Sequence, residues 1–176
     1  MGLKTTPSVV IRVMLWIFIL IGGIYFGIKF DLIYFRNIFF NIIFHVITFI
    51  VGIVLMRLSF HAAKTGGREL KKRGRVGNIP RLETNKLVTT GIFECFRHPM
   101  LFGLSFIPLS LALIIGSPTF IIFIAPSEMI FILIMVLIFE EAEAYKKFGE
   151  DYIKYKNSTP IFSKKIECYK KLFLSS

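Results

Sequence analysis

The sequence contains little cysteine and no internal repeat. Cys95 and Cys168 are the two cysteines among 176 residues, and their spacing matches no metal-binding motif. We predict neither a zinc site nor a disulfide, because we expect both thiols in a reducing compartment, where they serve in ordinary packing. Without a repeat or a low-complexity linker, residues 1–176 are predicted to form a single membrane domain.

Acidic residues are also scarce. Eleven Asp and Glu stand against 22 Lys and Arg, which gives a formal net charge of +11. Such a balance can indicate nucleic-acid binding, but the basic residues flank long hydrophobic segments and do not alternate with stacking aromatics on a soluble domain. Attraction to anionic lipid headgroups, worth about 1 kcal/mol per Lys or Arg near the surface, explains them more simply. We therefore predict no nucleic-acid partner.

Hydrophobic residues dominate the remaining composition. They make up 55% of the chain and include 20 Phe, and the mean hydropathy is +0.68. This composition predicts an all-α, integral membrane helical bundle. Four segments are long and apolar enough to cross a bilayer, and they lie near residues 8–28, 36–60, 100–116 and 118–139. The first two belong to residues 1–60, the last two form a hairpin over residues 100–139, and no signal peptide is predicted.

The polar segments predict the topology. Residues 61–99 form a basic loop, and by the positive-inside bias this loop is cytoplasmic. An even number of crossings places both termini on the same side. Glycines between Thr65 and Pro80 are expected to end the second helix. The cytoplasmic tail over residues 140–176 is predicted to form an amphipathic interfacial helix, which serves either as a surface anchor or as a lid.

Ionisable residues gather beside the third and fourth predicted helices. Pro99 suits the first position of a helix, so Arg97 and His98 lie just before its first turn, where the helix dipole favours an anion. The fourth helix runs in the opposite direction and brings Glu140 and Glu141 to the same level. Charge at a membrane helix is costly and typical of a functional site. The simpler interpretations are a helix cap for His98 and a solvated helix end for the glutamates.

A series of short motifs runs from Leu82 to Ser163. The motifs are Leu87-Val88-Thr89-Thr90-Gly91, Arg97-His98-Pro99 with Gly103, Glu140-Glu141, Phe148-Gly149, Tyr152, Tyr155 and Pro160. This ordered combination resembles the isoprenylcysteine carboxyl methyltransferase and phospholipid methyltransferase superfamily. Members are small multi-helix membrane enzymes that hold S-adenosylmethionine on the cytoplasmic side with their C-terminal half. The resemblance therefore implies a methyltransferase with S-adenosyl-L-methionine as its cofactor.

The resemblance also implies a site, position by position. By position in the motifs of the family, the cofactor-binding residues are Asn85, Leu87, Val88, Phe93, Arg97, His98, Pro99, Leu101, Glu140 and Glu141. The expected catalytic groups among them are His98 and Glu140. Asn85 stands where eukaryotic members have a cofactor-contacting His. Phe93 and Leu101 stand where the family usually has Tyr, which removes two phenol groups. Val136 stands where the isoprenylcysteine enzymes carry an Arg for their substrate, and this argues against a prenylcysteine carboxylate as the acceptor.

Methyl transfer suits a chain without a nucleophile motif. In-line displacement at a sulfonium needs positioning and exclusion of water, and the sequence has no Ser-His-Asp or reactive-Cys arrangement. An amine acceptor must lose a proton, for which His98 or Glu140 could serve as the base. We expect a multi-pass membrane methyltransferase with the lipid bilayer and a lipophilic or small acceptor as partners and no metal. The alternatives are an NADPH-dependent reductase of the sterol type and a non-catalytic relative that binds lipid or cofactor.

Two polar features within the predicted helices have two interpretations each. A stripe of polar or small residues on the second helix comprises Asn37, Asn41, His45, Thr48 and Gly52. Such stripes pack helix on helix more often than they line a cavity. Glu128 lies within the fourth helix after Pro126, and a carboxylate inside a membrane is a functional candidate by default. Alternatively, it pairs with backbone groups that the prolines leave free or lies near the outer face.

Overall fold

Helices form the regular structure of the described part of the chain. The structure is a computed structural model that describes residues 6–79 and 84–174, with side chains from residue 11 onward. The helices are α1 (Thr6–Tyr34), α2 (Arg36–Phe39), α3 (Ile42–Arg73), α4 (Pro99–Ser105), α5 (Ile107–Ile115), α6 (Ala125–Met135), α7 (Glu141–Phe148), α8 (Glu150–Ser158) and α9 (Ile166–Leu174). The described residues contain no strand, and the all-α prediction is confirmed.

Three helical stretches among the described residues are long and apolar enough to cross a membrane. They are Ile11–Tyr34, Ile42–Arg73 and Phe120–Phe148, and the shorter apolar stretch Pro99–Ile115 accompanies them. In each long stretch, at most 17% of the 18 consecutive residues with the highest hydropathy are buried inside the protein. Large side chains such as Phe18 face outward, as they do where lipid surrounds a helix. The chain is therefore a membrane protein, as predicted.

The described residues group into two compact units. Unit 1 comprises the residues up to Met56 together with Ile107–Phe131, and unit 2 comprises Arg57–Phe106 together with the residues from Ile132 onward. Unit 1 has a small apolar core that includes Phe120. The larger apolar cluster lies in unit 2, where Phe96 is completely buried. The single-domain organisation stays a prediction.

The second predicted helix is longer than its glycines suggested. The expectation that these glycines end the helix is wrong, because α3 continues through Gly66 and Gly67 to Arg73. The helix uses Gly66 for close packing: a Cβ built there would lie 2.6 Å from the backbone nitrogen of Met100, in the first turn of α4. A glycine that admits a neighbouring backbone does not break a helix whose packing stabilises it. The predicted loop over residues 61–99 is helical in its first part.

The polar stripe of this helix packs within unit 1. Asn41 caps α3, since its side-chain oxygen accepts a hydrogen bond from the Phe44 amide at 3.0 Å, and the helix starts later than predicted. Thr48 bonds to the Phe44 carbonyl inside the helix. A Cβ on Gly52 would lie 2.8 Å from the Ile114 nitrogen of α5. At Gly52 the stripe therefore serves helix packing.

The third predicted helix is interrupted near its middle. α4 begins at Pro99, as predicted, but it ends at Ser105, and α5 begins at Ile107. Pro108 has no N–H and cannot donate a hydrogen bond to the carbonyl of Leu104, which explains the break. The structure thus replaces one span over residues 100–116 with two short helices.

The fourth apolar helix continues past its predicted end at residue 139. Its apolar stretch reaches Phe148, and it contains π-helical turns at Phe120–Ile124 and Val136–Glu140. A π-helical turn adds a residue to the turn and so changes which side chains share a face; such turns are frequent at functional sites. Here the second π-helical turn immediately precedes Glu141. The two glutamates lie within a continuous helical stretch, and the interpretation as a solvated helix end is wrong for Glu141, which is buried.

The amphipathic tail is divided by a glycine. Gly149 adopts a φ of 57°, a left-handed conformation that glycine accepts without strain, and it separates α7 from α8. Tyr152 and Tyr155 on α8 are buried, whereas Tyr145 on α7 is exposed. The single amphipathic helix predicted for the tail is therefore divided, with buried tyrosines on α8 and an exposed tyrosine on α7.

Cys95 and Cys168 form a disulfide, so the prediction of two unpaired thiols is wrong. The cysteines are separated by 73 residues in sequence. Helix α9 brings Cys168 to the turn before α4 because it buries Leu172 in the apolar cluster of unit 2. The ring of Tyr169 also meets the ring of Phe96 edge-on. The pairing follows from tertiary packing and has no local sequence signal.

Reduction of the Cys95–Cys168 bond is expected to destabilise the protein. A cross-link across the 73-residue separation stabilises the folded state by about 4 kcal/mol, mainly by restricting the unfolded chain. Thermal unfolding in detergent should give a lower Tm for Cys168→Ser than for the oxidised parent. Dithiothreitol should lower the Tm of the parent and leave that of the variant unchanged. A parent whose Tm does not respond to reductant, although mass spectrometry shows that the bond is reduced, would contradict this role.

Candidate functional site

The chain reaches α4 through a short, well-anchored turn. A 3₁₀ turn over Gly91–Glu94 comes first, and the backbone N–H of Arg97 then donates to the carbonyl of Pro160 at 3.3 Å. His98 occupies the N-cap position and Pro99 begins the helix. The His98 side chain forms no capping bond in the described structure, so the helix-cap interpretation does not account for its ring. Because α4 has only seven residues, we assign no anion site to its amides.

Three basic side chains lie close to a buried carboxylate on α7. Glu141 Oε1 lies 2.9 Å from Arg97 Nη1 and 3.6 Å from His98 Nε2, and its Oε2 lies 2.6 Å from Lys156 Nζ. The side chains of Arg97 and Glu141 are 8% and 5% exposed, whereas that of Lys156 is 48% exposed. Arg97 and Glu141 therefore form a buried ion pair, which Lys156 reaches from the solvent side.

Tyr152 on α8 lies in the field of the same charges. Burial, supported by the charges of Glu141 and Glu140 and opposed by that of Arg97, raises the pKa of Tyr152 to about 12. The phenol is a neutral O–H donor at neutral pH. We use the name polar cluster for the five residues Arg97, His98, Glu141, Tyr152 and Lys156.

His98 is neutral in this surrounding. Burial lowers its pKa below the usual value of 6.5, and the positive charge of Arg97 acts in the same direction. The carboxylate of Glu141 opposes both effects without reversing them. A neutral imidazole has one nitrogen that can accept a proton, so the ring can act as a base near neutral pH.

Several atoms of the polar cluster are buried without a hydrogen-bond partner among the described residues. They are Nε and Nη1 of Arg97, Nε2 of His98, Oε1 of Glu141 and the hydroxyl of Tyr152. Arg97 Nη1 and Glu141 Oε1 attract each other as ions but are not aligned for a hydrogen bond. Buried polar groups are almost always hydrogen-bonded in native proteins, by protein atoms, ordered water or ligand. Their convergence marks the polar cluster as a candidate ligand site.

Asn85 is engaged with the backbone of its own loop. Its side-chain nitrogen donates to the Val76 carbonyl at 2.7 Å, and its side-chain oxygen accepts from the Val76 amide at 2.8 Å. These bonds occupy the carboxamide and hold the loop after α3. The predicted cofactor contact of Asn85 stays a prediction.

The other predicted site residues are mostly apolar and packed. Val88 and Phe93 are buried in the apolar cluster of unit 2, and Leu87 and Leu101 are half-buried. The Phe93 carbonyl accepts a hydrogen bond from the hydroxyl of Tyr155 at 2.7 Å, which ties α8 to the 3₁₀ turn. A groove of about 670 Å³, lined by Leu87 and Tyr155 among others, lies beside α8. This volume is in the range of small-molecule sites.

Sequence reasoning missed Lys156 and did not assign Tyr152 to the site. Lys156 follows Tyr152 by four residues, so the two side chains share one face of α8. Nothing local distinguishes Lys156 from the other tail lysines, which are Lys146, Lys147, Lys154, Lys164, Lys165, Lys170 and Lys171. Its role is visible only when α8 is packed beside α7.

Two further buried carboxylates, Asp31 and Glu128, belong to unit 1. Glu128 on α6 is buried against α1, and neither of its oxygens has a hydrogen-bond partner in the described part of the chain. A Cβ on Gly23 would lie 2.6 Å from Glu128 Oε1 and 2.8 Å from Ile124 Cγ2, so a larger residue there would require both side chains to shift. Asp31, which sequence reasoning passed over, accepts hydrogen bonds from the Ser117 hydroxyl and the Thr119 amide. The function of Glu128 stays a prediction.

These features define an α-helical membrane protein with a buried charged cluster beside a His-Pro turn. The chain belongs to the phospholipid methyltransferase family, whose model matches residues 47–151, more than half of the sequence. The match includes Arg97, His98 and Glu141, whereas Tyr152 is the first residue after it and Lys156 the fifth. It confirms the superfamily that the motifs indicated. Comparison with curated proteins and with solved structures finds no match.

Stability should depend on the protonation of His98. Because its pKa is below 6.5 in the folded state, the unfolded chain binds more protons as the pH falls through 6.5. The stabilisation is fully present above that pH and is lost as the pH falls toward the folded pKa. His98→Asn should therefore reduce the fall in Tm between about pH 7 and pH 5. A Tm that falls between pH 7 and pH 5 as steeply in a folded His98→Asn variant as in the parent would refute the prediction.

Proposed function

We propose that the protein is an S-adenosylmethionine-dependent methyltransferase of the membrane, with the polar cluster at its cofactor site. The observation that carries the proposal is the buried Arg97–Glu141 pair beside His98, within the region that matches the family. A methyltransferase family implies this methyl donor in general. The acceptor is proposed to be lipophilic or to carry a lipophilic tail.

The residues of the polar cluster fit such a cofactor. Its amino-acid part has a carboxylate and an ammonium group, and its ribose has hydroxyls. The buried N–H of Arg97 and the hydroxyl of Tyr152 are donors for a carboxylate. Glu141 Oε1 and the half-buried Glu140 are acceptors for an ammonium or a hydroxyl group. Leu87 lines the groove beside α8, whose volume of about 670 Å³ has room for a nucleoside but which none of the five polar-cluster residues lines.

The remaining predicted contacts are kept as part of the proposal. Asn85, Val88, Phe93, Pro99 and Leu101 are proposed to shape the surroundings of the cofactor. Phe93 and Val88 do so through an apolar wall, because both side chains are buried. An apolar surface lowers the local dielectric constant and so strengthens the electrostatic contacts of the charged groups beside it.

The chain supplies positioning and proton transfer. When bound, the cofactor provides an electrophilic methyl group on a sulfonium. His98 can accept the proton that an amine acceptor must lose, because burial keeps its ring neutral. Glu140 is the second candidate for this role. Burial of Arg97 and Glu141 excludes water from the charged groups and keeps their geometry constant.

The acceptor is proposed to approach from the bilayer. The apolar helices expose large side chains along their length, so a lipophilic substrate can diffuse to the protein within the membrane. Val136 is a buried apolar residue at the position where the isoprenylcysteine enzymes carry a substrate-binding Arg. This chain therefore lacks that contact with a prenylcysteine carboxylate, and a phospholipid headgroup is the favoured class.

The polar cluster is proposed to face the cytoplasm, following the positive-inside bias of its basic segments. The Cys95–Cys168 disulfide favours the opposite orientation, since disulfides are rare in the cytosol, and a labelling experiment decides between the two. In a Cys95→Ser/Cys168→Ser background, a single cysteine at exposed Lys170 should react with a membrane-impermeant maleimide only after the cells are permeabilised. Labelling in intact cells would overturn the orientation.

Binding of S-adenosylhomocysteine should depend on Glu141. Titration calorimetry of the detergent-purified protein should detect binding, and Glu141→Gln should weaken it by about 10- to 100-fold, because a charged hydrogen-bond partner is lost. Glu150→Gln, an exposed glutamate on α8, is the matched control and should bind as the parent does. Unchanged affinity in a folded Glu141→Gln variant would refute the proposed site.

NADPH is titrated in parallel with S-adenosylhomocysteine. Heat with NADPH and none with S-adenosylhomocysteine would favour the membrane reductase. Binding of S-adenosylhomocysteine without turnover of any lipid or small-molecule acceptor would favour the non-catalytic relative.

A further inference from the structure

Lys156 differs from the other charged members of the polar cluster in its access to solvent. Its side chain is 48% exposed, whereas those of Arg97 and Glu141 are almost completely buried. Four flexible bonds connect its ammonium group to α8, so the group can move by several ångströms without disturbing the fold. Lys156 is therefore the member of the cluster that can rearrange when a ligand arrives.

The ion pair between Lys156 and Glu141 does not by itself explain this lysine. Glu141 already has a buried cationic partner in Arg97 at 2.9 Å. An ion pair with one half-exposed, flexible partner contributes little to stability, because solvent screens it and the side chain loses entropy. Arg97 already neutralises Glu141, so the fold does not need Lys156 as a second cation.

The hydrogen-bond donors of the polar cluster are incompletely used. Arg97 Nε and the Tyr152 hydroxyl are buried and have no hydrogen-bond partner within the described residues. Lys156 has three N–H donors, and one short contact with Glu141 Oε2 occupies only one of them. A guanidinium edge, a phenol and an ammonium group together suit an oxygen anion such as a carboxylate or a phosphate.

We propose that Lys156 is a specificity-determining residue that, with Arg97 and Tyr152, binds an anionic oxygen group of the ligand. This inference rests on the proposed function, since it assigns one subsite of the same polar cluster. Two ligands carry such a group: the methyl donor has an amino-acid carboxylate, and a phospholipid acceptor has a phosphate. On binding, the ammonium group of Lys156 turns from Glu141 toward the anion, while Arg97 stays paired with the carboxylate.

The test compares ligands that differ only in the anionic group. S-adenosylhomocysteine and its carboxamide analogue are titrated into the parent, Lys156→Met and Lys156→Arg in detergent. Lys156→Met keeps the length of the side chain and removes its charge. Lys156→Met should lower the affinity for S-adenosylhomocysteine by roughly 10- to 100-fold. It should change the affinity for the carboxamide analogue by no more than about threefold. Lys156→Arg should retain most of the affinity, and exposed Lys170→Met is the matched control.

A second arm examines the phosphate. Water-soluble dihexanoyl phosphatidylethanolamine is titrated in parallel with dihexanoylglycerol, which lacks the headgroup. Weakened binding of the phospholipid alone in Lys156→Met would support the subsite and assign it to the lipid phosphate. Weakened binding of S-adenosylhomocysteine alone would support the subsite and assign it to the cofactor carboxylate.

The failures of the two proposals are distinguishable. In one outcome, Lys156→Met lowers the affinities for the anionic and the neutral ligands equally, and in another it changes neither. Either result overturns the subsite, provided that the parent binds S-adenosylhomocysteine. If the folded parent binds neither S-adenosylhomocysteine nor the phospholipid, the proposed function itself fails. The Tm of each variant is measured first, and Lys156→Gln, which also removes the charge, takes the place of Lys156→Met should that variant unfold.

Discussion

The buried carboxylate of Glu141 is the constraint on which the arrangement of unit 2 depends. A charge removed from water destabilises a fold by several kcal/mol unless a partner of opposite charge meets it. Arg97, just before α4, is that partner, and Lys156 on α8 adds a second. The buried carboxylate on α7 therefore requires the segment before α4 to pack against it, and α8 joins the two through Lys156. Removing Glu141 would leave Arg97 buried without its counter-ion.

Backbone features set the direction of each partner. Pro99 starts α4 and holds His98 at its N-cap, and the Arg97 amide is tied to Pro160. The π-helical turn over Val136–Glu140 changes which side of the helix Glu141 lies on, and Gly149 turns the chain into α8. None of these features is a functional group. Each is a conformational solution that allows a functional group to point inward.

Much of the architecture was predictable because local physics determines it. Long apolar runs must be helical inside a bilayer, where every backbone N–H and C=O needs an internal partner. Pro99 marked a helix start because its missing N–H has no consequence there. Gly66 was misread, because the same residue breaks an isolated helix and admits a packed neighbour. Only the position of Met100 in space distinguishes the two.

The sequence by itself determined the membrane character, the α class, the family and three members of the polar cluster, since Arg97, His98 and Glu141 lie in short local motifs. Tertiary structure alone decided the disulfide between Cys95 and Cys168, because cysteines 73 residues apart meet only when α9 packs on Phe96. It also selected Lys156 from eight similar tail lysines. Proximity across helices depends on how side chains pack, and a linear pattern carries no record of which faces will meet.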